Sequence, residues 1–523
     1  MLRFVPGALA LALGAPLPLL AQTPVPTPAP VLLHLSTFGP ATWRVRVGPT
    51  NLGSMLASRG AVAIWRSLVD RLDAIAREAS EDDATFAAER AHLLDYGGAI
   101  HVVAWLDQAE DALHVPRWSA ALIVEPDGHT DLVTMADRCR HWLAKAEASA
   151  RRPWREMGLS PPRLVGDRLI AVLANPEDAD AAMQRATAFA CEPLVHPAVL
   201  RLRVELPTAL GLAHDRAAER GLLAALLGPA TRRLTFAIGS VGPRLAVDLS
   251  CDFEVGDRGI LEGLYPAVSG VPDLDHLVPD GIATRFAWRV DLPLIWQSWI
   301  RAEAVAGERE PAALRERYET AHGRDLADDV LSLLATEAMV LWRSADVQAA
   351  SPTPFANACL VVPVRDEQAL IEQVRELLRR SGELATEDED GVFYGETPLL
   401  RIAIGHGTAC LTFDRLGDAL RDAVLARAAR PQRARPAPEL PAGAPPDCSG
   451  RGSLDVATLV NRDLEGQMQW LAWLSGRLQL ARSAARIAKE ARRWLPLLRE
   501  HRLDEATTVS ASTESAWLLR VLW

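Results

Sequence analysis

Three acidic residues stand where strand-like runs give way to helix-like runs, and their chemistry could support hydrolysis. Glu205 lies in the segment R-V-E-L-P and Asp291 in the segment R-V-D-L-P, while Asp455 lies in the more divergent S-L-D-V. Paired carboxylates can act as general acid and base, so a fold that brought the three together could be a hydrolase. Helix capping explains the same residues without catalysis, because Asp accepts hydrogen bonds from the first helical turn and Pro is tolerated there.

Two histidines could also carry chemistry. His406 lies between two glycines with apolar runs on either side, a pattern that predicts a hairpin turn. The sequence places no Ser, Cys or carboxylate in an obvious catalytic relation to it. His101 lies within a strand-like run, where we expect a core or cross-strand residue. The motifs H-E-x-x-H, G-x-S-x-G, S-x-x-K and G-x-G-x-x-G do not occur.

Two acidic segments could bind metal. Asp388 and Asp390 lie in the loop E-D-E-D-G, which offers the oxygen ligands that calcium prefers. Asp273, Asp275 and His276 mix carboxylates with an imidazole, a set that could hold a divalent ion. A solvated acidic turn and a polar connector, respectively, explain these segments without a ligand. We therefore predict no cofactor.

An internal duplication indicates which elements position these residues. Two strand-like runs near residues 99–127 recur near 336–364, and matched positions are separated by 237 residues, as 342 minus 105 shows. In each half there follow a helix-like stretch (131–150 and 367–380), a second strand pair (163–173 and 391–413) and another helix-like stretch (177–190 and 415–429). The matched pairs are Trp105 with Trp342, Trp118 with Phe355, and Pro126 with Pro363.

The order of elements predicts an α+β protein made of two tandem pseudo-repeats, each a mainly antiparallel sheet covered by helices. Proline-rich composition predicts an extended loop within the second repeat. The predicted segments are a signal peptide (1–21), a proline-rich linker (22–30), repeat 1 (31–266), a connector (267–280), and repeat 2 (281–523) with the loop insertion at 430–447.

Three runs of the second half carry a resemblance. They are D-V-L-S-L-L-A-T-E-A-M-V-L-W (329–342), A-C-L-V-V-P-V-R-D (358–366) and L-L-R-I-A-I-G-H-G-T-A-C-L-T-F (399–413). With the duplicated order of elements, the chain resembles a family of uncharacterised exported bacterial proteins of unknown function. The resemblance implies an α+β repeat fold outside the cytoplasm, and it supplies no catalytic residues.

The N-terminus and the charge balance bear on compartment and partners. A short basic start and an apolar run to Leu20 predict a secretory signal with cleavage after Ala21, so we expect export to the periplasm, cell envelope or medium. We predict no later membrane span, since no segment is long and apolar enough. The net charge of −11 argues against a nucleic-acid partner.

Aromatic and basic residues alternate over residues 469–500, which could form a membrane-surface helix or a helix docked by its apolar face. Six cysteines allow 15 pairings, and the apolar runs around Cys359 and Cys410 favour buried free thiols at least as well as a bridge.

The leading hypothesis is a non-enzymatic binding or scaffolding module of the cell envelope, with a groove between the repeats. A hydrolase using the repeated carboxylates and a peripheral membrane protein are the alternatives.

Overall fold

A computed structural model gives the architecture. It describes residues 30–62, 85, 88, 94–107, 117–149, 158–175, 177–195, 198–211, 227–307, 309–343, 358–387, 391–397, 400–412, 417–430, 439–460 and 486–523. The signal peptide and nearly all of the linker predicted from the sequence lie outside these residues. The described residues fall into two compact units. Unit 1 comprises those within 1–46, 68–221 and 232–238, and unit 2 comprises those within 47–67, 222–231 and 239–523.

The elements alternate between strands and helices along the chain. Before residue 212 they are β1 (Val31–Phe38), α1 (Pro40–Val47), α2 (Asn51–Ala57), β2 (Ala99–Asp107), β3 (Arg117–Val124), α3 (Leu132–Ser149), β4 (Arg163–Val165), β5 (Arg168–Leu173), α4 (Ala179–Ala188), β6 (Ala198–Glu205) and α5 (Leu206–Gly211).

The elements after residue 226 continue the same mixture of strands and helices. They are β7 (Thr231–Val241), β8 (Arg244–Phe253), α6 (Ile260–Leu264), β9 (Thr284–Arg289), α7 (Leu292–Ala306), α8 (Pro311–His322), β10 (Glu337–Trp342), β11 (Ala358–Pro363), α9 (Glu367–Ser381), β12 (Leu384–Glu387), β13 (Phe393–Glu396), β14 (Arg401–Gly405), β15 (Thr408–Thr412), α10 (Asp418–Ala428), β16 (Cys448–Asp455), α11 (Val456–Thr458), α12 (Leu495–Glu500), β17 (Glu505–Ser512) and β18 (Ala516–Leu522). Short turns of 3-10 and π helix fall at Asp275–Leu277, Leu326–Val330 and Leu331–Leu333.

Unit 1 contains an antiparallel sheet with the order β6–β1–β2–β3–β5–β4. Helix α4 covers one face, because its buried Ala182 and Ala186 recur every four residues and share a cluster with Val103 of β2. On the other face, Met135 of α3 packs in a cluster with Leu169 of β5. Successive side chains of a strand point to opposite faces of the sheet, so the strands contribute residues to two apolar layers, one under each helix.

Unit 2 contains a longer antiparallel sheet, in the order β8–β18–β17–β16–β9–β10–β11–β15–β14–β13–β12. Helix α10 contributes Val424 to the cluster that contains Met339 and Val361. Helix α9 contributes Val374 to a separate cluster with Ile404. Both faces of this sheet are therefore covered where these helices lie.

The structure confirms the predicted mixture of helices and mainly antiparallel sheet. The helix predicted over 131–150 spans Leu132–Ser149, and the one predicted over 367–380 spans Glu367–Ser381. The run at 391–413, expected to be one strand pair, contains β13, β14 and β15 instead. Thr397 and Leu400, which hydrogen-bond to each other, lie between the first strand and the second. Among the described residues, none of the helices has the length and apolar content needed to cross a bilayer.

Candidate functional site

Two of the three repeated carboxylates are engaged by the helices that follow them. Asp291 accepts a hydrogen bond from the Leu294 backbone N–H at 2.9 Å, at the start of α7. Asp455 accepts bonds from the Thr458 backbone N–H at 2.8 Å and from its hydroxyl at 2.6 Å, at the start of α11. These are the bonds of N-cap residues, so both carboxylates lie where helix capping needs them.

Glu205, at the end of β6, accepts a hydrogen bond from Arg233 Nε at 2.7 Å. Both side chains are about two-thirds buried, at 29% and 32% exposure. The Glu205 carboxylate is thus bound to an arginine of its own unit. Its carboxylate is engaged by Arg233, whereas those of Asp291 and Asp455 accept bonds from the first turns of the helices that follow them.

His406 lies at the tip of the hairpin between β14 and β15. Its φ of +55° and the φ of +74° at Gly407 are the two positive values that a tight two-residue hairpin turn requires. The His406 side chain is exposed. The structure therefore places it in the predicted turn.

The predicted metal ligands of the connector have a cationic neighbour. Asp275 lies 3.4 Å from Arg285 Nε, while Asp273 is exposed and His276 is half-buried. The acidic loop with Asp388 and Asp390 lies outside the described residues. So do residues 469–485 of the predicted surface helix, and the described residues after them include the short helix α12.

A polar cluster that the sequence did not single out lies inside unit 1. His34 and Ser36 belong to β1, and His101 of β2 pairs directly with Ser36 in the antiparallel register. His101 and Ser36 are fully buried, and His34 is 5% exposed. Alternate residues of a strand share a face, so His101 lies on the same face as Val103 of the α4 core. The cluster is therefore embedded in an otherwise apolar layer.

Three side chains of the cluster form a triangle of hydrogen bonds. His101 Nδ1 lies 3.1 Å from His34 Nε2 and 3.0 Å from Ser36 Oγ, and Ser36 Oγ lies 2.9 Å from His34 Nε2. Phe189 packs edge-on against the His34 ring, with centroids 5.1 Å apart. The triangle occupies Nδ1 of His101, whereas the buried Nε2 of the same ring has no hydrogen-bond partner.

That second ring nitrogen faces a carboxylate and a thiol. His101 Nε2 lies 3.6 Å from Glu125 Oε2, which is too long for a hydrogen bond. A ligand atom from each of His101, Glu125 and Cys191 lies within 4.8 Å of the other two, and no other such group of three occurs in the described part of the chain. The Glu125 side chain is 25% exposed and Cys191 is half-buried, so this side of the cluster reaches solvent.

Two arginines hold the loop that carries Cys191. Arg168 of β5 donates from Nη1 to the Phe189 carbonyl at 3.1 Å, and Arg201 of β6 donates from Nη2 to the Glu192 carbonyl at 3.0 Å. Arg168 Nη2 also lies 3.2 Å from Glu125 Oε1. One carboxylate oxygen is thus paired with Arg168, which leaves Oε2 directed toward His101. Backbone on both sides of Cys191 is anchored to the sheet.

Burial keeps these groups uncharged. Burial, with the nearby charges of His101 and three arginines, lowers the pKa of His34 to about 3. Burial also lowers the pKa of His101, against the opposing effect of Glu125. Burial and the Glu125 carboxylate raise the pKa of Cys191 to about 11. Both imidazoles are therefore neutral at neutral pH, and the thiol keeps its proton.

These charge states indicate which chemistry the cluster can perform. A reactive cysteine needs a lowered pKa, since the thiolate is the nucleophile, and Cys191 has the opposite shift. Neutral imidazole and carboxylate are instead ready ligands for a transition metal, and a bound metal ion can itself displace the proton of the thiol to gain a sulfur ligand. The arrangement is suited to binding a cation more than to nucleophilic attack.

A sequence signal for the cluster exists. The strand V-L-L-H-L-S-T-F alternates polar His34 and Ser36 with apolar residues. The same alternation is also typical of a strand whose polar face is exposed to solvent, so it does not by itself indicate a buried cluster. The sequence predicts a core or cross-strand position for His101, and the side chain is buried in the structure. Its hydrogen-bond partners Ser36 and His34 lie 65 and 67 positions away along the chain. Sequence alone does not indicate such pairings.

Comparison with known proteins supplies no relative from which to transfer a role. No protein-family model matches this chain, and neither the curated proteins nor the solved structures give a match to it.

Proposed function

We propose that this chain is an exported, non-enzymatic binding protein of the bacterial cell envelope, built on a duplicated α+β scaffold that carries its ligand site in unit 1. The observation that carries the proposal is the buried polar cluster of unit 1, at positions that unit 2 fills mostly with apolar residues. Export rests on the N-terminal sequence and on the resemblance to exported bacterial proteins.

The strand orders support the duplication. Unit 1 has β6–β1–β2–β3–β5–β4, and unit 2 has β16–β9–β10–β11–β15–β14 as part of its sheet. The covering helices also follow at equivalent places, with α3 and α9 after the first hairpin and α4 and α10 after the second.

The strand registers support a separation of 238 residues in the first hairpin. His101 pairs with Ile123, and Met339 pairs with Val361. The differences 339 minus 101 and 361 minus 123 are both 238, so one separation matches both strands of the hairpin. The 237 expected from the sequence would match Trp105 to Trp342. Trp105 shares the α4 face with Val103, whereas the equivalent α10 face in unit 2 has the odd-numbered residues Met339 and Leu341 of β10. A shift of one residue reverses the faces of a strand, which favours 238.

Under this proposed separation, the cluster residues of unit 1 correspond in sequence to different residue types in unit 2. His101 corresponds to Met339 and Glu125 to Pro363, at the separation of 238. The cross-strand partner of His101 is Ser36, and the cross-strand partner of Met339 is Ala287. Unit 2 thus has apolar residues at these three positions, and Arg285 at the position of His34. A shared scaffold with polar groups in one copy fits a site that only one copy needs.

Two measurements test the proposal. When the full chain is expressed in a bacterium and the cells are fractionated, the protein should be found outside the cytoplasm. Its mass should be that of a chain that begins at Gln22. Thermal unfolding of the mature chain against a panel of metal ions and small polar solutes should reveal a ligand that stabilises the wild type and not the variant H34L/H101M. Retention of the full-length chain in the cytoplasm, or ligands that stabilise both proteins equally, would contradict it.

A further inference from the structure

We propose that His101, Glu125 and Cys191 bind one divalent transition-metal ion of the zinc class, with a fourth coordination position open to solvent. This inference rests on the proposed binding function and names the ligand of the same site. It is carried by the geometry of the donor atoms and by the unpartnered ring nitrogen that points at them.

The donor spacing is close to that of a metal shell. Two ligands of a tetrahedral zinc ion, with bonds of about 2.0–2.3 Å, are separated by roughly 3.4–3.6 Å. His101 Nε2 and Glu125 Oε2 lie 3.6 Å apart. All three donors lie within 4.8 Å of one another, so closure around an ion needs a movement of roughly one ångström. A change of one side-chain torsion at the half-buried Cys191 supplies such a movement.

In the metal-free protein, Nε2 of His101 has no favourable interaction in either of its two protonation states. If Nε2 of His101 carries the proton, it lies too far from Glu125 to donate well. If Nε2 is deprotonated, its lone pair faces a carboxylate. A cation between the two satisfies both groups, and burial of an unsatisfied polar atom is otherwise costly.

The triangle of His34, Ser36 and His101 has the features of an orienting network. Metal-binding histidines donate their other ring N–H to a fixed acceptor, which sets the tautomer and the ring orientation. With a proton on Nδ1, His101 can donate to Ser36 Oγ at 3.0 Å, and Ser36 can donate to His34 Nε2 at 2.9 Å. His34 and Ser36 are positioning residues in this arrangement.

The exposed side of the cluster provides an entry path. Glu125 and Cys191 reach solvent, while His101 is fully buried. Three protein ligands and one open position are the pattern of a zinc site that also takes water or a small ligand. On metal binding the Cys191 thiol loses its proton to the buffer, because the thiolate is the ligand.

Cobalt(II) titration of the full mature chain tests the site. Cobalt in a tetrahedral site with a thiolate gives visible ligand-field bands and a near-ultraviolet sulfur-to-metal band. We expect one cobalt per chain, displaced by zinc. C191S should lose the sulfur band, and C139S, which changes another half-buried cysteine of unit 1, should keep it. E125Q should bind more weakly with the sulfur band retained. S36A should weaken affinity roughly 10- to 100-fold without changing the stoichiometry or the spectrum.

The outcomes separate this inference from the proposed function. A wild type that gives no sulfur band with excess cobalt, or a band that survives in C191S, would overturn the metal site. If cobalt fails but another solute stabilises the wild type and not H34L/H101M, the binding function stands and the metal assignment falls. Circular dichroism of each variant identifies unfolded proteins, and S36A, the smallest change, keeps the comparison informative if C191S does not fold.

Discussion

Replacing His101 with methionine should stabilise the metal-free protein. Met339 occupies the corresponding position of unit 2 under the register proposed above. The substitution removes a fully buried imidazole whose Nε2 has no hydrogen-bond partner. Methionine is apolar, adapts to irregular space and is of similar size. Ser36 and His34 remain bonded to each other at 2.9 Å, so the variant leaves neither of them without a partner.

The expected gain is modest. An unsatisfied buried polar atom costs about 1–3 kcal/mol, and the hydrogen bonding lost from Nδ1 is worth about 1 kcal/mol. The difference leaves roughly 1 kcal/mol in favour of methionine. A domain of about 150–250 residues shifts in Tm by about 2–4 °C for each kcal/mol, so H101M should unfold a few degrees above the wild type in the presence of a chelator.

Ile123→Met is the matched control. Ile123 is the direct cross-strand partner of His101 and is equally buried. It contributes no polar group, so I123M should cost up to about 1.5 kcal/mol and gain nothing. Chemical denaturation of the three proteins measures the differences. A chelator-treated H101M less stable than the wild type by more than about 1 kcal/mol would show that the imidazole contributes to folding and would refute this account of the cluster.

Three further changes have definite expected outcomes. D291A and D455A should each lose about 1 kcal/mol in denaturant unfolding, and the asparagine variants should recover most of it, because these carboxylates accept N-cap bonds. R520A should lose roughly 2–4 kcal/mol with a positive coupling to D248N, because two bonds of 2.7 Å join largely buried partners. His34 has a folded pKa of about 3 and an unfolded value of 6.5. As pH falls from 6.5 toward 3 the unfolded state binds a proton that the folded state does not, so stability should fall by up to about 1.4 kcal/mol per pH unit, and H34L should lack that component in urea unfolding at pH 7 and about pH 4.

The sequence predicts most of the fold because the relevant signals are local. Apolar residues at three- and four-residue spacing identify α9, and Asp366 and Gly382 mark its ends as an N-cap and a left-handed C-terminal residue. Gly407 marks the hairpin that follows β14. The separation of 238 residues that we propose for the duplication differs by one from the 237 that the sequence predicts, because matched tryptophans do not indicate which face of a strand each occupies.

The candidate site could not be predicted in the same way, because its geometry depends on distant partners. Ser36 meets His101 across two strands, and Cys191 meets Glu125 only after the loop behind α4 is held by arginines of β5 and β6. Asp291 and Asp455 occur in similar segments for a local reason, because each caps the helix that follows it. Under the proposed duplication, residue types that recur in both halves reflect the scaffold, and a site of one half lies where the halves differ.

We expect the polar cluster to lower the free energy of unfolding of unit 1, because Nε2 of His101 is buried without a hydrogen-bond partner. This expected cost is a physical reason to connect the cluster with function. At the three corresponding positions unit 2 has Met339, Ala287 and Pro363, whose side chains carry no hydrogen-bonding group. Polar groups that break the local rule of a core are expected at functional positions. A ligand that binds only the folded state offsets the cost in proportion to its concentration over Kd. The free energy that H101M recovers without ligand and the free energy that the wild type gains with ligand should therefore come from the same ring nitrogen.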